Sequence, residues 1–390
     1  QDDTNSQQDG SPPSSSPLPL DAIGTVLDTK PPPVCTVLGE ATKAVGPIID
    51  PNCKPQLLQT LSGVAQLAGK LGLVTAGVVQ DIITVTLDGG AQPESGGLAP
   101  LTAGSPGLTS SMFMVSGYKA LSHDGFSSSS QFGSDKTPGF DEKDYGLTIG
   151  TRFDGSKLFD APAQSVTLGV LANYTHTDID VGASPFAPGL SKSGSAKVDS
   201  FSVGGFGLAT DGRKYGLLTV VGTFGSPDTE STAILPANAS FNNFGIATSA
   251  VGGVILPVGD SKLDLRGGID YVYATVDDYT DSNGFKYTDA RLDQLSGSVS
   301  ARLFRIIRTA DYTMRPFVQT GVNQRLHYDN ELKIDSVEYS FDDAATSVFA
   351  RAGVDFDVGS STQAYMAVRG DASEDMRAIA AQIGVTFKLD

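Results

Sequence analysis

The chain has 390 residues, 39% of them hydrophobic, and a formal net charge of −17. No apolar run is long enough to cross a bilayer as a helix, and so acidic a chain shows no basic face for nucleic acid. Glycine is abundant, at 45, and tryptophan is absent; glycine suits curved sheets in which backbones and bulky neighbours approach closely.

Residues 1–20, ending in SPPSSSPLPL, form a polar tail with too little apolar content to fold. Residues 21–87 are expected to be a small, mostly helical region. Val34, Val37, Leu38, Ala41, Ala44 and Val45 share one helical face before Pro47. Leu57, Leu61, Val64, Ala68 and Leu71 share another after Pro55. The stretch LVTAGVVQDIITVTL (73–87) fits helix or strand. Cys35 and Cys53 are expected to form a disulfide, worth roughly 3 kcal/mol in the chain-entropy model. Unpaired thiols or metal ligands are the alternative, with no third ligand nearby. A removed signal peptide leaves a start such as Gln1, as does trimming. Residues 88–110, rich in Gly, Pro and Ser, read as a linker or pore-threading segment.

From Met112 onward the texture changes to period-2 alternation. Tyr145, Leu147, Ile149, Thr151 and Phe153 alternate with Asp144, Gly146, Thr148, Gly150 and Arg152. The last segment carries Ile379, Ala381, Ile383, Val385, Phe387 and Leu389 on one face. Strands are predicted near 112–122, 143–153, 164–178, 197–211, 213–225, 241–256, 261–276, 291–306, 311–327, 346–358, 361–371 and 376–389. The links alternate in length. Those at 123–142, 179–196, 226–240, 277–290 and 328–345 are long; those at 211–213, 257–260, 307–310 and 358–361 are tight, and 154–163 is intermediate. Outer-membrane barrels sort their loops this way, with short periplasmic turns and long external loops.

The two faces agree. Tyr145, Phe153, Tyr174, Tyr215, Tyr271 and Tyr273 are candidates for an interfacial girdle, since tyrosine has an apolar ring and a polar tip. The other face carries Arg152, Asp264, Arg266, Asp270, Arg302, Arg315, Arg325, Arg351, Asp355 and Arg369, which are expected to face the lumen. On the lipid side such charges would cost roughly 2–4 kcal/mol each at the midplane. The expected fold is an all-β transmembrane barrel of about twelve antiparallel strands over 111–390, with the small helical region before it.

The stretches YGLTIGTRFDG, SFSVGGFGLATDG, MRPFVQTGVNQ and the terminal AIAAQIGVTFKLD resemble the translocator domain of autotransporters, the type V secretion family, over roughly 111–390. The resemblance implies an exported N-terminal passenger, a helical segment in the pore, and a last strand ending on an aromatic residue read by the barrel assembly machinery. Phe387 is that residue here, and Lys388, Leu389 and Asp390 follow it. The short region before the barrel cannot hold a long β-helical passenger, which favours display or enclosure of a small segment.

Little else points to chemistry. His123, His176 and His327 fall near the external rim, where hydrogen bonding is the expected role rather than catalysis. In DDYTDSNG (277–284) the calcium-loop pattern fails, because the bidentate Glu position is Ala290. No enzyme activity, cofactor or metal is expected. The expected partners are outer-membrane lipid and lipopolysaccharide, the assembly machinery, and other surface proteins or copies of itself, with no nucleic acid. A passive diffusion channel and a structural surface protein are the alternative functions. The N-terminal region is expected in the periplasm, in the pore or at the cell surface. Part of residues 56–108 is expected inside the barrel.

Overall fold

The computed structural model describes residues 110–389 except 131–132, 138, 156–164, 183–191, 212, 232–236, 310–311, 336 and 359–361. The expected helical region, the Cys35–Cys53 disulfide and the pore-threading segment lie outside the described residues.

Twelve long strands form the wall: β1 Ser110–His123, β2 Phe140–Asp154, β3 Ser165–Gly182, β4 Lys192–Thr210, β5 Lys214–Ser231, β6 Asn243–Val258, β7 Ser261–Val276, β8 Lys286–Arg305, β9 Tyr312–Ile334, β10 Thr346–Val358, β11 Thr362–Ser373 and β12 Met376–Leu389. Each pairs antiparallel with the next, and β12 returns to β1 with Ser110 opposite Leu389 and His123 opposite Met376. Closure satisfies every strand edge, as a sheet in hydrocarbon requires. Among the described residues there is no helix.

Tight turns gather at one end. Asp211 caps the β4–β5 turn by accepting from the backbone N–H of Lys214 (2.7 Å) and Arg213 (2.9 Å). Gly259, at φ +58°, makes the β6–β7 turn in the left-handed region that glycine enters without strain. The opposite end carries the long connections, with one exception: Glu374 and Asp375 alone join β11 to β12, so the predicted alternation of long and short links fails there.

Outer and inner faces change character along the strands. On β3, Val170 and Tyr174 point outward and are half exposed, while Asn173, Thr175 and Thr177 are buried inside. Beyond Tyr174 the pattern inverts. His176, Asp178 and Asp180 now face out, and Ile179 and Val181 are buried within. The same inversion lies before Phe201 on β4, where Ala196 and Val198 are buried and Lys197 and Asp199 exposed, and beyond Phe224 on β5 Asp228 and Glu230 face out. Tyr118 and Tyr145 (centroids 5.2 Å apart) and Phe224 and Phe244 (5.1 Å) continue this aromatic row around the wall. An apolar exterior needs a lipid surround, and an apolar interior with a polar exterior needs water. The aromatic row therefore marks the interface, and the strands run past it into water.

The segments read as long loops accordingly contain sheet. Ser127–Ser130 and Gly133–Lys136 form a hairpin after β1, and Val337–Asp342 extends from β9. A second correction concerns Tyr215, assigned to the girdle. It is buried inside the barrel, where its hydroxyl donates to Asp264 Oδ1 at 3.1 Å. Tyr215 opens β5 in the phase of Leu217, Thr219 and Val221, all of them inward.

The inner face toward the tight-turn end is also more apolar than a hydrated lumen implies. Phe113, Leu171, Phe206, Leu217, Val251 and Phe317 belong to one buried cluster there. Several of its aromatic rings lie on glycines of the next strand. A Cβ on Gly253 would stand 2.4 Å from the Tyr215 ring, and one on Gly353 2.6 Å from that of Phe317. Here glycine is the only residue that leaves room.

Candidate functional site: the lumen

Between the two apolar zones lies a polar chamber of about 400 Å³, lined from β1, β2, β3 and β6 through β12. Alternation on long antiparallel strands brings its residues to one level, because facing positions share a side of the sheet. Asp264, Arg302, Gln319, Arg351 and Arg369 occupy successive facing positions on β7 to β11.

The cations on this wall are held by carboxylates and rings. Arg266 Nε donates to Asp264 at 2.7 Å, and Arg302 to Asp355 at 3.2 Å. Arg315 makes a two-point contact with Asp357. Arg302 stacks 4.0 Å above Phe317, and Arg369 pairs with Asp371 while lying 4.2 Å over Phe349. Arg351 and Arg369 face each other across β10 and β11, and Arg351 donates to Gln382 at 3.2 Å. Arginine suits such places because its planar guanidinium forks onto carboxylates and stacks on rings.

The wall opposite carries hydroxyls and amides over β2 to β5, with Glu142, Asp144 and Arg152 of β2 as its charged residues. Thr148, Asn173, Ser202 and Thr223 stand at facing positions on β2 to β5. Asn173 donates to Thr148 at 2.8 Å, and the hydroxyls of Ser202 and Thr223 meet at 2.9 Å. Near the seam, Lys119 on β1 bridges Glu142 and Asp144 on β2. The lumen thus presents an arginine-bearing wall toward a hydroxyl and amide wall.

Each residue assigned to the lumen from sequence has a definite position. Arg152, Asp264, Arg266, Arg302, Arg315, Arg351 and Asp355 are buried inside. Asp270, Arg325 and Arg369 line the chamber. Arg152 sits at the tight-turn end, with Nε 2.6 Å from Ser111 Oγ. Sequence reasoning placed Asp144 on the polar face but left it, with Lys119, Glu142, Asp357 and Asp371, out of the residues assigned to the lumen. The signal was present: Glu142 and Asp144 share the phase of Arg152, and Asp371 that of Arg369. Phe387 is half exposed on the outer face of β12, opposite Met112 at the closing seam.

His123, His176 and the acidic loop are engaged structurally, whereas His327 is exposed on β9. Gly125 N–H donates to His123 Nδ1 at 3.0 Å, and Nε2 lies 3.1 Å from Asp343 Oδ1, so both ring nitrogens are used. His176 faces outward beside Asp199. In the DDYTDSNG loop, Asp281 accepts from Asn283 N, Phe285 N and the Tyr287 hydroxyl, capping its own turn.

The family profile described as the autotransporter beta-domain matches residues 124–369, more than half of the chain. The chain belongs to the autotransporter β-domain family. Among solved structures, this autotransporter barrel is similar to the transport unit of the autotransporter AIDA-I from Escherichia coli. The two share 13% identity at a TM-score of 0.61, over 86% of this chain and 100% of that one. The translocator domain of NalP from Neisseria meningitidis matches at 14% identity and 0.57, over 83% and 100%. The beta domain of Bordetella BrkA matches at 18% and 0.51, over 70% and 98%. At these identities the likeness bears on fold alone. No curated protein matches the chain. Autotransporter β-domains sit in the bacterial outer membrane, which agrees with the aromatic row and apolar band of this translocator barrel.

Proposed function

We propose that this translocator barrel anchors its own N-terminal region in the outer membrane and encloses part of it, without catalysing a reaction. The carrying observation is the zoned lumen. β1 begins at Ser110 on the tight-turn end, which faces the periplasm in outer-membrane barrels. The chain just before it joins the barrel beside the apolar cluster that includes Phe113, with the buried Arg152 on Ser111 at the same end, and the apolar stretch 73–87 is 22 residues upstream of that strand. Further up the lumen, residues 56–108 offer Asp81, Asp88 and Glu94, with Lys70 as their one basic residue, to the arginine-bearing wall. Part of 56–108 is accordingly assigned to the lumen. The assembly machinery is assigned Phe387 at the seam as its signal, and lipid and lipopolysaccharide surround the exterior. Residues 1–55 are left to contact surface proteins or other copies.

Conductance in planar bilayers tests this reading. Deleting residues 56–108 is expected to change the conductance or its gating. An unchanged record, together with protection of residues 1–55 from protease added to intact cells, would overturn it. The arginine-bearing polar chamber gives a passive channel as the second reading, which predicts steady conductance from the full-length chain.

A further inference from the structure

We infer that the external mouth of this barrel is sealed by a lid of its own loops, which cuts the chamber off from the cell exterior. The wall is uneven. β11 and β12 end in the two-residue turn Glu374–Asp375, whereas β3, β5, β8 and β9 run well past the aromatic row. This leaves a notch in the rim over β10 to β12. The loop after β1 and the extension of β9 meet across it: Ser127–Ser130 pairs with Val337–Asp342, Ser129 opposite Ser340 and Ser128 opposite Phe341. With Gly133–Lys136 on one side and the end of β9 on the other, they make a continuous small sheet over the gap.

That sheet is amphipathic in the sense a lid requires. Val337, Tyr339 and Phe341 are buried, while Glu338, Ser340 and Asp342 are exposed. Its inner face joins an apolar cluster that includes Ile179 of β3, Val272 of β7 and Leu332 of β9. Phe126 and Phe241, from the long connections, belong to the same cluster and are at most 7% exposed. Side chains around an open, watered mouth would not be so dry. The seal is also fastened. Asp124 N–H donates to Asp375 O at 2.7 Å, pinning the loop onto the low turn. The His123 ring stacks on Phe140 (5.0 Å, 10°), and Nε2 faces Asp343 at 3.1 Å. Arg325 holds the carbonyl of Asp343 and lies 3.9 Å above Tyr328. The translocator reading enters only in what must pass the lid; the seal does not depend on it.

The test is chemical access from outside. A reporter thiol, Ser298→Cys, is placed on the chamber wall in the full chain carrying Cys35→Ser and Cys53→Ser. A membrane-impermeant maleimide is added to intact cells, and labelling is compared with that of denatured protein. With the lid intact, labelling should be slow. Phe341→Asp, or replacement of residues 127–136 by a short Gly-Ser link, should speed it by about tenfold or more, because the chamber then opens without a local unfolding event. Heat-dependent gel mobility reports whether each variant is folded. Rapid labelling beneath the intact lid overturns the inference even if neither variant folds. Residues 56–108 in the lumen would shield position 298 whatever the lid does, so the same labelling is repeated with 56–108 deleted. Folded lid variants labelled no faster than the parent in both backgrounds overturn the inference, whereas a gain seen only after the deletion supports the lid and reports the enclosed segment.

Discussion

The ring of Phe206 on β4 occupies the space that a side chain on Gly169 of β3 would need: a Cβ there would stand 2.1 Å from Cζ of the ring and 2.8 Å from the Thr151 carbonyl oxygen. The ring can swing, but the backbone of β2 cannot. Gly169→Ala is therefore expected to destabilise the barrel by about 1–3 kcal/mol, the usual cost of overpacking. Gly222 on β5 is the matched control, since a Cβ there meets nothing within 4 Å. Its change to Ala should be neutral, or stabilising by up to about 1 kcal/mol through the unfolded chain. Urea unfolding of the two variants in the same vesicles separates them. Equal midpoints would remove the packing argument.

Asp264 is fully buried and serves Tyr215 and Arg266 together, with Arg302 at the facing position on β8. Asp264→Ala would take from the buried Arg266 guanidinium the carboxylate that accepts from it, and breaking a buried ion pair costs roughly 3–5 kcal/mol. Changing Arg266→Met in the same chain removes that charge and should restore most of the loss. Unfolding midpoints of the single and double variants give the answer. A double variant as unstable as the single would mean that Arg266 is not what Asp264 compensates.

Most of the wall was legible because a half-buried strand writes its period directly into the sequence. Tyr145 to Phe153 against Asp144 to Arg152 leaves no other reading, and all twelve strands emerge that way. What was missed has one physical origin. Outside the membrane the solvent on the outer face is water, so the same period continues with its polarity reversed. Ile179 and Val181 therefore look like the start of a loop, when they are the inward residues of a strand that has left the bilayer. Tyr215 was misplaced for a related reason: an aromatic near a turn suits a girdle, yet here it fills the space beside Gly253. The lid was hidden by its serines, because Ser127–Ser130 pairs through backbone with Val337–Asp342, some two hundred residues later. Nothing local marks such a pairing.

The Asp211 carboxylate at the β4–β5 turn is held below its ordinary range by the backbone N–H groups of Lys214 and Arg213, which bond to its ionised form. A depressed folded value means that the group favours the folded turn above the unfolded value, about 3.9, and that this contribution disappears as pH falls through the folded value. A carboxyl-carbon NMR titration of Asp211 should therefore have its midpoint below about 3.9. Amide exchange at Lys214 should quicken in Asp211→Ala at neutral pH. A midpoint at or above the unfolded value would show that the two backbone bonds do not hold the charge.

The position of the membrane on the wall can be read with single charges on β5. Leu218 and Val220 are half-exposed apolar side chains facing outward below Phe224, and Asp228 and Glu230 face outward beyond it. If the aromatic row is the external interface, Leu218 and Val220 lie in hydrocarbon and Asp228 in water. An ammonium or guanidinium near the midplane costs roughly 2–4 kcal/mol and falls to about 0–1 kcal/mol near the interfaces. Val220→Arg is accordingly expected to lose about 2–4 kcal/mol, and Asp228→Arg to lose no more than about 1 kcal/mol, the cost of the Ser240 hydrogen bond and of facing Lys197 on β4. The measurement is reversible urea unfolding in phosphocholine vesicles, with each variant compared with the parent. Short-chain lipids should shrink the penalty at Val220 by thinning the hydrocarbon, and they should leave Asp228→Arg unmoved. A flat profile along β5, or a penalty at Asp228 matching that at Val220, would place the bilayer elsewhere on the wall and undo the assignment of the aromatic row.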